Sequence, residues 1–423
     1  MDTRSRRLAH MAAASLFAWY GGVAAQAAPT VASLDLAEAI RLALAQPAVR
    51  AAAHDAAACA ALLDQAGRYP NPELSWLREG QQSGSRTTTA QISQTIELGG
   101  KRQARLALAQ GEAALARAEL AARRRDTRAE VIAAYYAVLV AARQQQVAQD
   151  LAGLARQGVD VAARRVAAGK VSPIDATKAR LAALDAATEL TRAGAELSMA
   201  RTRLGALTGR PADAVAPAAA IDADTALPAL APLATLLARS AEAGDAGALG
   251  RARGRLAAQE AQTGVERAAR IPDLTLTLGT QRDDQAGRRQ AVFGVALPLP
   301  LFDRNQGRLT AALRRGDKAR DELEAARIEL ASGLADAHAR YGAAKEEAAL
   351  LQAEVIPGAR DAWDLTLKGF EAGKFAFLDV LDAQRTWFQA RSRHAAALLA
   401  AWRAYADIER LAGAVQEEKE SSQ

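Results

Sequence analysis

The sequence predicts a mostly α-helical fold with a membrane β part, in which a unit of one strand pair and one long helical hairpin occurs twice. Residues 165–175 recur as residues 369–379, and the offset of 204 residues places Gly169 on Gly373. A constant offset held over about 110 residues indicates an internal duplication. In each copy a Gly-Lys turn separates two strongly helical stretches, which is typical of the tip of a helical hairpin.

Composition argues against several classes of function. The 423 residues include 54 Lys and Arg against 48 Asp and Glu, and both signs alternate along the predicted helices, so nucleic-acid binding is not favoured. Cys59 is the single cysteine, and His54, His338 and His394 lie alone, without the spacing of metal ligands. The Gly-Lys turns lack the other residues of a phosphate-binding loop. We therefore expect no enzymatic activity, no cofactor and no bound metal.

Residues 1–27 are predicted to be a secretory signal peptide. Three arginines within residues 4–7 precede an apolar run over residues 11–25, and small residues follow at the cleavage position. The run is too short and interrupted for a membrane anchor, and no cysteine follows it to carry a lipid. The mature chain, predicted to begin at Ala28, is therefore expected to be exported without a lipid anchor.

The first repeat is assigned to residues 28–210. A helix is predicted over residues 33–68, with Asp35 and Glu38 as a capping pair. The elements that follow are a strand pair over residues 73–98, a helix over residues 101–168, a tip near residues 169–173 and a shorter helix from Pro173 to about residue 207. At 1.5 Å per residue, the long helix is a rod of about 100 Å. Two shorter helices laid end to end match its length.

The second repeat, residues 233–414, follows an Ala-Pro-Asp-rich linker over residues 211–232. Its predicted elements are a helix over residues 233–270 with a break near residues 244–250, a strand pair over residues 273–302, a helix over residues 305–372, a tip near residues 373–377 and a helix over residues 376–411. Pro357 is expected to kink the long helix. The offset of 204 carries the strand-to-helix junction at residues 99–102 onto residues 303–306. Residues 415–423 are predicted to be a disordered tail.

The four predicted strands have the size and alternation of outer-membrane barrel strands. Each carries one apolar face and one face of Thr, Ser, Gln and Gly over roughly ten residues. A small soluble sheet with one solvated face is the alternative. Because four strands cannot close a barrel and open edges are not tolerated in hydrocarbon, a spanning barrel requires more than one chain.

Four segments resemble the TolC outer-membrane efflux family. They are residues 69–74, 96–102, 298–307 and 378–384. Within that family they are most similar to the CzcC branch, the outer-membrane subunits of heavy-metal exporters driven by RND pumps. The resemblance covers essentially the whole mature chain.

The resemblance implies a homotrimer in the outer membrane of a Gram-negative bacterium. Three chains would form a 12-stranded β-barrel in outer-membrane lipid, continued by a periplasmic α-helical barrel. A periplasmic adaptor and an inner-membrane RND pump are the implied partners, and divalent cations of the cobalt, zinc and cadmium type are the implied substrates. The same duct could serve multidrug efflux or type I protein secretion. A soluble periplasmic adaptor is a more distant alternative, which the two strand pairs disfavour.

The resemblance places the periplasmic entrance at the hairpin tips. Asp379 and Asp382 match acidic positions of the family, and three copies would form carboxylate rings in a narrow aqueous pore, with Phe370 and Phe375 as an apolar constriction. The simpler alternative is that Asp379 caps the following helix, as Asp175 does in the first repeat.

The tips are also the predicted docking site for the adaptor. The candidate residues are Gly169, Lys170, Asp175, Gly373 and Lys374. An ordinary turn that requires glycine explains the two glycines equally well, and both roles are compatible.

Overall fold

The computed structural model describes residues 34–80, 85–215 and 227–413. The predicted signal peptide, part of the predicted linker and the predicted tail therefore lie outside the described residues. Among the described residues, no helix combines the length and the apolarity that crossing a membrane requires.

The four strands form one antiparallel sheet in the order β1-β2-β3-β4. Their bounds are β1, Glu73–Glu79; β2, Thr87–Ile96; β3, Leu274–Asp283; and β4, Arg288–Ala296. Both predicted strand pairs are therefore confirmed, and the pairing of β2 with β3 joins them into one sheet. The two ends of this sheet, β1 and β4, each leave one edge unpaired within the described chain.

The last strand ends six residues before its predicted end. Extension of that strand to residue 302 is wrong, because Pro298 and Pro300 have no N–H to donate to a neighbouring strand. The backbone instead turns on itself, since the Leu301 N–H donates to the Leu299 carbonyl over 2.9 Å. Leu299, Leu301 and Phe302 are nevertheless exposed.

Nine α-helices occur in the described residues. Those of the first half are α1, Leu36–Leu44; α2, Pro47–Ala66; α3, Lys101–Ala167; and α4, Pro173–Thr208. Those of the second half are α5, Leu233–Glu242; α6, Gly250–Ala268; α7, Gln306–Leu350; α8, Ile356–Glu371; and α9, Phe377–Ala412. The long helix predicted over residues 101–168 is α3, and the predicted break near residues 244–250 lies between α5 and α6.

The single helix predicted over residues 33–68 is wrong. It is two helices, because Pro47 cannot continue the hydrogen bonding of α1 and instead begins α2, where its missing N–H costs nothing. At the start of α1, the Asp35 carboxylate accepts a hydrogen bond from the Glu38 N–H at 2.6 Å. The Glu38 side chain binds Arg41 instead of completing the capping pair.

The irregularity expected at Pro357 is a π-helical turn over Leu351–Val355, directly before the proline in the first turn of α8. A proline inside a helix removes one hydrogen bond and its ring contacts the carbonyl four residues earlier. The wider π turn accommodates both effects, so α7 and α8 follow one another without a loop.

The strand-to-helix junctions correspond with an offset of 205, one residue more than at the tips. Gly100 (φ 74°) and Asn305 (φ 59°) both take a left-handed backbone conformation directly before the long helices α3 and α7. The predicted match of residues 99–102 with 303–306 is therefore wrong by one residue. Asn305 tolerates this conformation and also donates through Nδ2 to the Glu266 carbonyl oxygen at 2.8 Å.

Helix α3 lies at the centre of the packing. It contacts α2 and α6 in its half nearer the sheet and α4 and α9 in its other half, while α7 packs against α6 and α9. The helices approach closely because their contacts are small residues: a Cβ at Gly111 would lie 3.0 Å from the Ala258 Cα, and one at Gly254 would lie 3.0 Å from the Leu115 Cα. The outermost helices are consequently α2 and α4 on one side and α7 with α8 on the other.

A buried carboxylate links the two halves. Glu409 of α9 is 5% exposed. Its carboxylate accepts hydrogen bonds from Arg128 Nε of α3 at 3.0 Å and from the Tyr405 hydroxyl at 2.9 Å. Tyr405 belongs to the same helix as Glu409, so the bond from the partly exposed Arg128 is the one that joins α9 to α3.

A tyrosine of α7 holds the segment that precedes α5. The Tyr341 hydroxyl of α7 donates to the Pro228 carbonyl. Burial raises the pKa of Tyr341 to about 12, so the hydroxyl remains a proton donor at physiological pH. Residues 227–231 are thereby held beside the helices, and Leu227 and Leu230 pack on the core there.

Replacing Glu409 by alanine is expected to lower the free energy of unfolding by about 2 kcal/mol, because Arg128 and the Tyr405 hydroxyl lose a buried charged partner. Glu347 provides the control, since it pairs with Arg393 between α7 and α9 at 3.5 Å with both side chains at least half exposed. Glu347→Ala is expected to change stability by less than about 0.5 kcal/mol. Thermal unfolding in detergent measures both, and equal shifts would contradict the assignment.

Candidate functional site

The two hairpin tips are built by the same turn. Gly169 (φ 68°) and Gly373 (φ 73°) follow α3 and α8 in the left-handed conformation. The next residue closes the turn in each case, with Lys170 N–H donating to the Arg165 carbonyl at 2.9 Å and Lys374 N–H to the Gly369 carbonyl at 2.8 Å. This is the glycine-dependent helix end expected from the sequence.

Both tips present their Gly-Lys pairs to solvent. Gly169, Lys170, Gly373 and Lys374 are all exposed, and no atom lies within 4 Å of a Cβ built on either glycine. The glycines are therefore required by the backbone conformation and not by crowding. Two exposed lysines on two turns of the same geometry form a surface that a docking protein can reach.

The two aspartates that follow the tips differ in role. Ser172 caps α4, since its Oγ accepts from the Ile174 N–H at 3.3 Å, so the suggestion that Asp175 is the cap is wrong. Asp175 lies in the first turn of α4, where a carboxylate interacts favourably with the helix dipole. Asp379 does act at the helix start, because its Oδ2 accepts from the Ala376 N–H at 2.9 Å. Both Asp379 and Asp382, one turn further on, are exposed.

The aromatic residues of the second tip point in different directions. Phe370 is 4% exposed and packs with Phe377, Val380 and two alanines of the first hairpin. Phe375 is 52% exposed. A Cβ at Gly369 would overlap the Phe375 ring, so this glycine makes room for it. Of the two phenylalanines predicted for a constriction, Phe375 faces outward, whereas Phe370 is a core residue of the tip.

Arg165 is a residue of the tips to which the sequence assigned no role. Its Nη2 donates to the carbonyl oxygens of Phe370 at 3.1 Å and Glu371 at 3.3 Å, and its guanidinium carbon lies 4.0 Å from the centre of the Phe370 ring. It therefore joins the end of α3 to the end of α8. The offset of 204 places Arg165 on Gly369. This difference within an otherwise similar stretch is the sequence signal that could have indicated a special role for Arg165.

A second link between the hairpins lies further from the tips. Arg391 of α9 forms an ion pair with Asp150 of α3 at 3.2 Å. Its guanidinium carbon also lies 5.3 Å from the centre of the Trp387 ring, which stacks on Trp363 of α8. This cluster ties α3, α8 and α9 together at one level.

Within the described ranges, no group of three or more His, Cys, Asp or Glu side chains lies close enough to hold a metal ion. His394 is half-buried, and burial together with nearby Arg143 lowers its pKa, which keeps the imidazole neutral. The charged residues of the tips are dispersed and exposed, an arrangement suited to contacting a protein or lining water.

The fold is that of a known class of channel subunit. The structure matches the solved outer-membrane channel OprN with a TM-score of 0.77 at 22% sequence identity, covering 89% of each chain. That likeness identifies the architecture: an open sheet of four strands carried on long helical hairpins, as in TolC-like subunits.

The sequence identifies the family. The family described as "Outer membrane efflux protein" matches residues 39–210 and 242–414. The cobalt-zinc-cadmium resistance protein CzcC of Cupriavidus metallidurans is 45% identical over 350 residues, 82% of each chain. The nickel-cobalt-cadmium resistance protein NccC of Alcaligenes xylosoxydans is 30% identical over 288 residues, 66% of this chain and 62% of NccC. The chain belongs to the outer membrane efflux protein family.

Replacing Gly373 by alanine is expected to strain the second tip, because the left-handed conformation costs an L residue at least about 1 kcal/mol. Amide hydrogen exchange of residues 370–376 should then become about fivefold faster. Gly342→Ala is the control, since Gly342 lies inside α7 with no atom within 4 Å of its Cβ, and alanine favours a helix there. Unchanged exchange at the tip in Gly373→Ala would argue against a strained turn.

Proposed function

We propose that this protein is the outer-membrane exit duct of a tripartite efflux system that exports divalent heavy-metal cations. Three copies form the duct, and a periplasmic adaptor and an inner-membrane RND pump deliver the substrate. The observation that carries the proposal is a sheet that is apolar on one face, polar on the other and unpaired at both edges.

The register of the sheet separates its two faces. One row across all four strands consists of Leu74, Ile92, Leu278 and Phe293. The neighbouring row, on the opposite face, consists of Glu73, Ser93, Thr277 and Gly294. All four apolar residues of the first row are exposed, and Phe293 is 79% exposed. A water-soluble sheet hides such a face, whereas a barrel in hydrocarbon turns it outward.

The height of the apolar face supports a membrane-spanning sheet. Within the paired strands it extends over seven residues of β2, from Ala90 to Ile96, whose six rises give about 15 Å along the membrane normal at a tilt near 40°. Barrels carry an apolar band of about 25 Å. The exposed leucines at positions 297, 299 and 301 extend the apolar surface beyond β4, and the prolines between them remove two N–H groups that lipid could not satisfy.

Closure requires further copies of the chain. In hydrocarbon the free edges of β1 and β4 must be paired, and pairing β4 of one copy with β1 of the next forms a ring. Three copies supply twelve strands. The outermost helices carry exposed apolar residues for the same contact, among them Leu181 and Leu184 on α4 and Ile328 and Leu350 on α7.

The substrate class comes from the relatives, whose names state resistance to cobalt, zinc and cadmium and to nickel, cobalt and cadmium. A duct needs no metal site of its own, because the pump selects the substrate. Rings of exposed Asp379 and Asp382 at a narrow entrance would favour cations over anions, with Phe375 narrowing the opening.

The adaptor is proposed to dock on the tips. Gly169, Lys170 and Asp175 of the first tip and Gly373 and Lys374 of the second are the contacting residues. Because both turns share one geometry, a ring of three subunits would present six similar sites to adaptor hairpins. Exposure of the lysines on both turns supports this assignment.

Deleting the gene is expected to raise cellular zinc, cobalt or cadmium, because the duct is the last step of export. Metal content is measured by mass spectrometry, with restoration by the wild-type gene as the control. A fluorescent drug serves as a parallel substrate. If the drug accumulates and the metals do not, the duct is retained and the heavy-metal assignment is wrong.

Replacing Asp379 and Asp382 together by asparagine is expected to reduce the preference for cations severalfold in single-channel recordings, because the rings lose their charge while the cap to Ala376 keeps an acceptor oxygen. Asp336→Asn, an exposed aspartate in the interior of α7, is the control. Unchanged ion selectivity in the double variant would remove the proposed rings.

A further inference from the structure

A row of arginines ends the apolar face of the sheet at the side away from the helices. The register aligns Arg78 with Thr88, Thr88 with Arg282, and Arg282 with Arg289. Alternation along the strands puts this row on the same face as Trp76, two residues beyond the last apolar row. All three arginines are exposed.

The arginines have few acidic partners. Arg282 and Arg289 are directly opposite each other on neighbouring strands, an arrangement that is unfavourable unless the charges are compensated. Arg282 Nε lies 3.0 Å from Asp284 Oδ1. Among the described residues, Arg78 and Arg289 form no ion pair, so the row carries an excess of positive charge.

Two further acidic residues at this height, Glu79 and Asp283, lie on the other face. The next row, Glu79, Thr87, Asp283 and Arg288, contains two carboxylates and points to the opposite side by alternation. Asp284 is the acidic partner on the arginine side. Since Glu79 and Asp283 lie on the side that faces the water in a barrel, three arginines against one carboxylate leave an excess of positive charge on the apolar side. An excess of positive charge beside an apolar surface suits an anionic group.

We infer that Arg78, Arg282 and Arg289 bind the phosphate groups of an anionic glycolipid in the outer leaflet of the outer membrane. The inference rests on the proposed function, since the apolar face must lie in hydrocarbon for the row to reach the head groups. Guanidinium groups bind phosphate through two parallel hydrogen bonds, and their long stems extend along apolar surface to reach it. Strands lie about 4.8 Å apart, so the three arginines span about 15 Å across the end of the sheet.

The test measures binding of bisphosphorylated lipid A to the purified full-length trimer by native mass spectrometry. The variant Arg282→Gln/Arg289→Gln is expected to bind at least tenfold more weakly than the wild type. Arg288→Gln is the matched control, since Arg288 adjoins Arg289 on β4 but faces the other side, and its binding should be unchanged. Arg78→Gln alone should weaken binding about threefold, which provides a second variant if the double one is unstable.

The phosphate chemistry is tested with lipid A from which both phosphates have been removed. We expect the dephosphorylated lipid to bind the wild type weakly. Its affinity should be no higher than the affinity of intact lipid A for the double variant. Equal binding of lipid A by the wild type and the double variant would overturn the inference. Displacement of bound lipid A by millimolar inorganic phosphate as effectively as by added lipid A would also overturn it, because the row would then be a general anion site.

Flotation with phospholipid vesicles separates this inference from the proposed function. If wild type and variants all float but bind lipid A equally, only the arginine assignment fails. If the wild type does not float, the membrane assignment of the sheet fails with it. A variant that floats as a trimer has folded, so its loss of lipid A binding reports on the arginine row.

Discussion

The free edges of the sheet constrain the molecule more than any other feature. Each edge strand, β1 and β4, exposes a row of backbone donors and acceptors beside an apolar surface. In water these groups bind solvent, but in hydrocarbon each costs several kcal/mol when unpaired. One chain therefore cannot enter a membrane in this form. Because β4 and β1 are different strands, their pairing is head-to-tail, and the assembly must close into a ring.

The helical part is held together by close packing and by arginine contacts. Small residues such as Gly111 and Gly254 let α3 and α6 approach closely, so the long rods pack without a thick core. Three arginine contacts at different heights hold the two halves together along α3: Arg128 with Glu409, Arg391 with Asp150, and Arg165 with the end of α8. In the first the carboxylate is buried and the arginine is partly exposed, whereas in the last the guanidinium donates to two carbonyl oxygens, one of them near solvent.

Periodicity predicted most of the fold because long helices and alternating strands repeat a simple pattern many times. The tip glycines, the long helix of residues 101–167 and the four strands all followed from such patterns. The errors arose at single residues whose effect depends on neighbours. Pro47 begins a helix, although the surrounding alanines predict an unbroken one. Asn305 adopts the conformation of Gly100 one residue out of the expected register, because side-chain hydrogen bonds to Glu266 stabilise it.

The candidate site was less predictable than the fold. Gly169, Lys170, Gly373 and Lys374 could be found because they recur. Two features of the site depend on how segments more than 200 residues apart meet: the burial of Phe370 and the contact of Arg165 with the other hairpin. No local sequence pattern predicts such a contact.

The contacts at the tips give the two hairpins different tasks. The first supplies Arg165, which holds the end of α8, and the second presents Phe375, Asp379 and Asp382 to solvent. Capping and pore lining are compatible roles for Asp379. Its bond to the Ala376 N–H uses Oδ2, and the exposed side chain leaves its other oxygen for water and cations. Since the cap also fixes the side-chain rotamer, the same hydrogen bond that begins α9 would hold the charge at a constant position in a ring of three subunits.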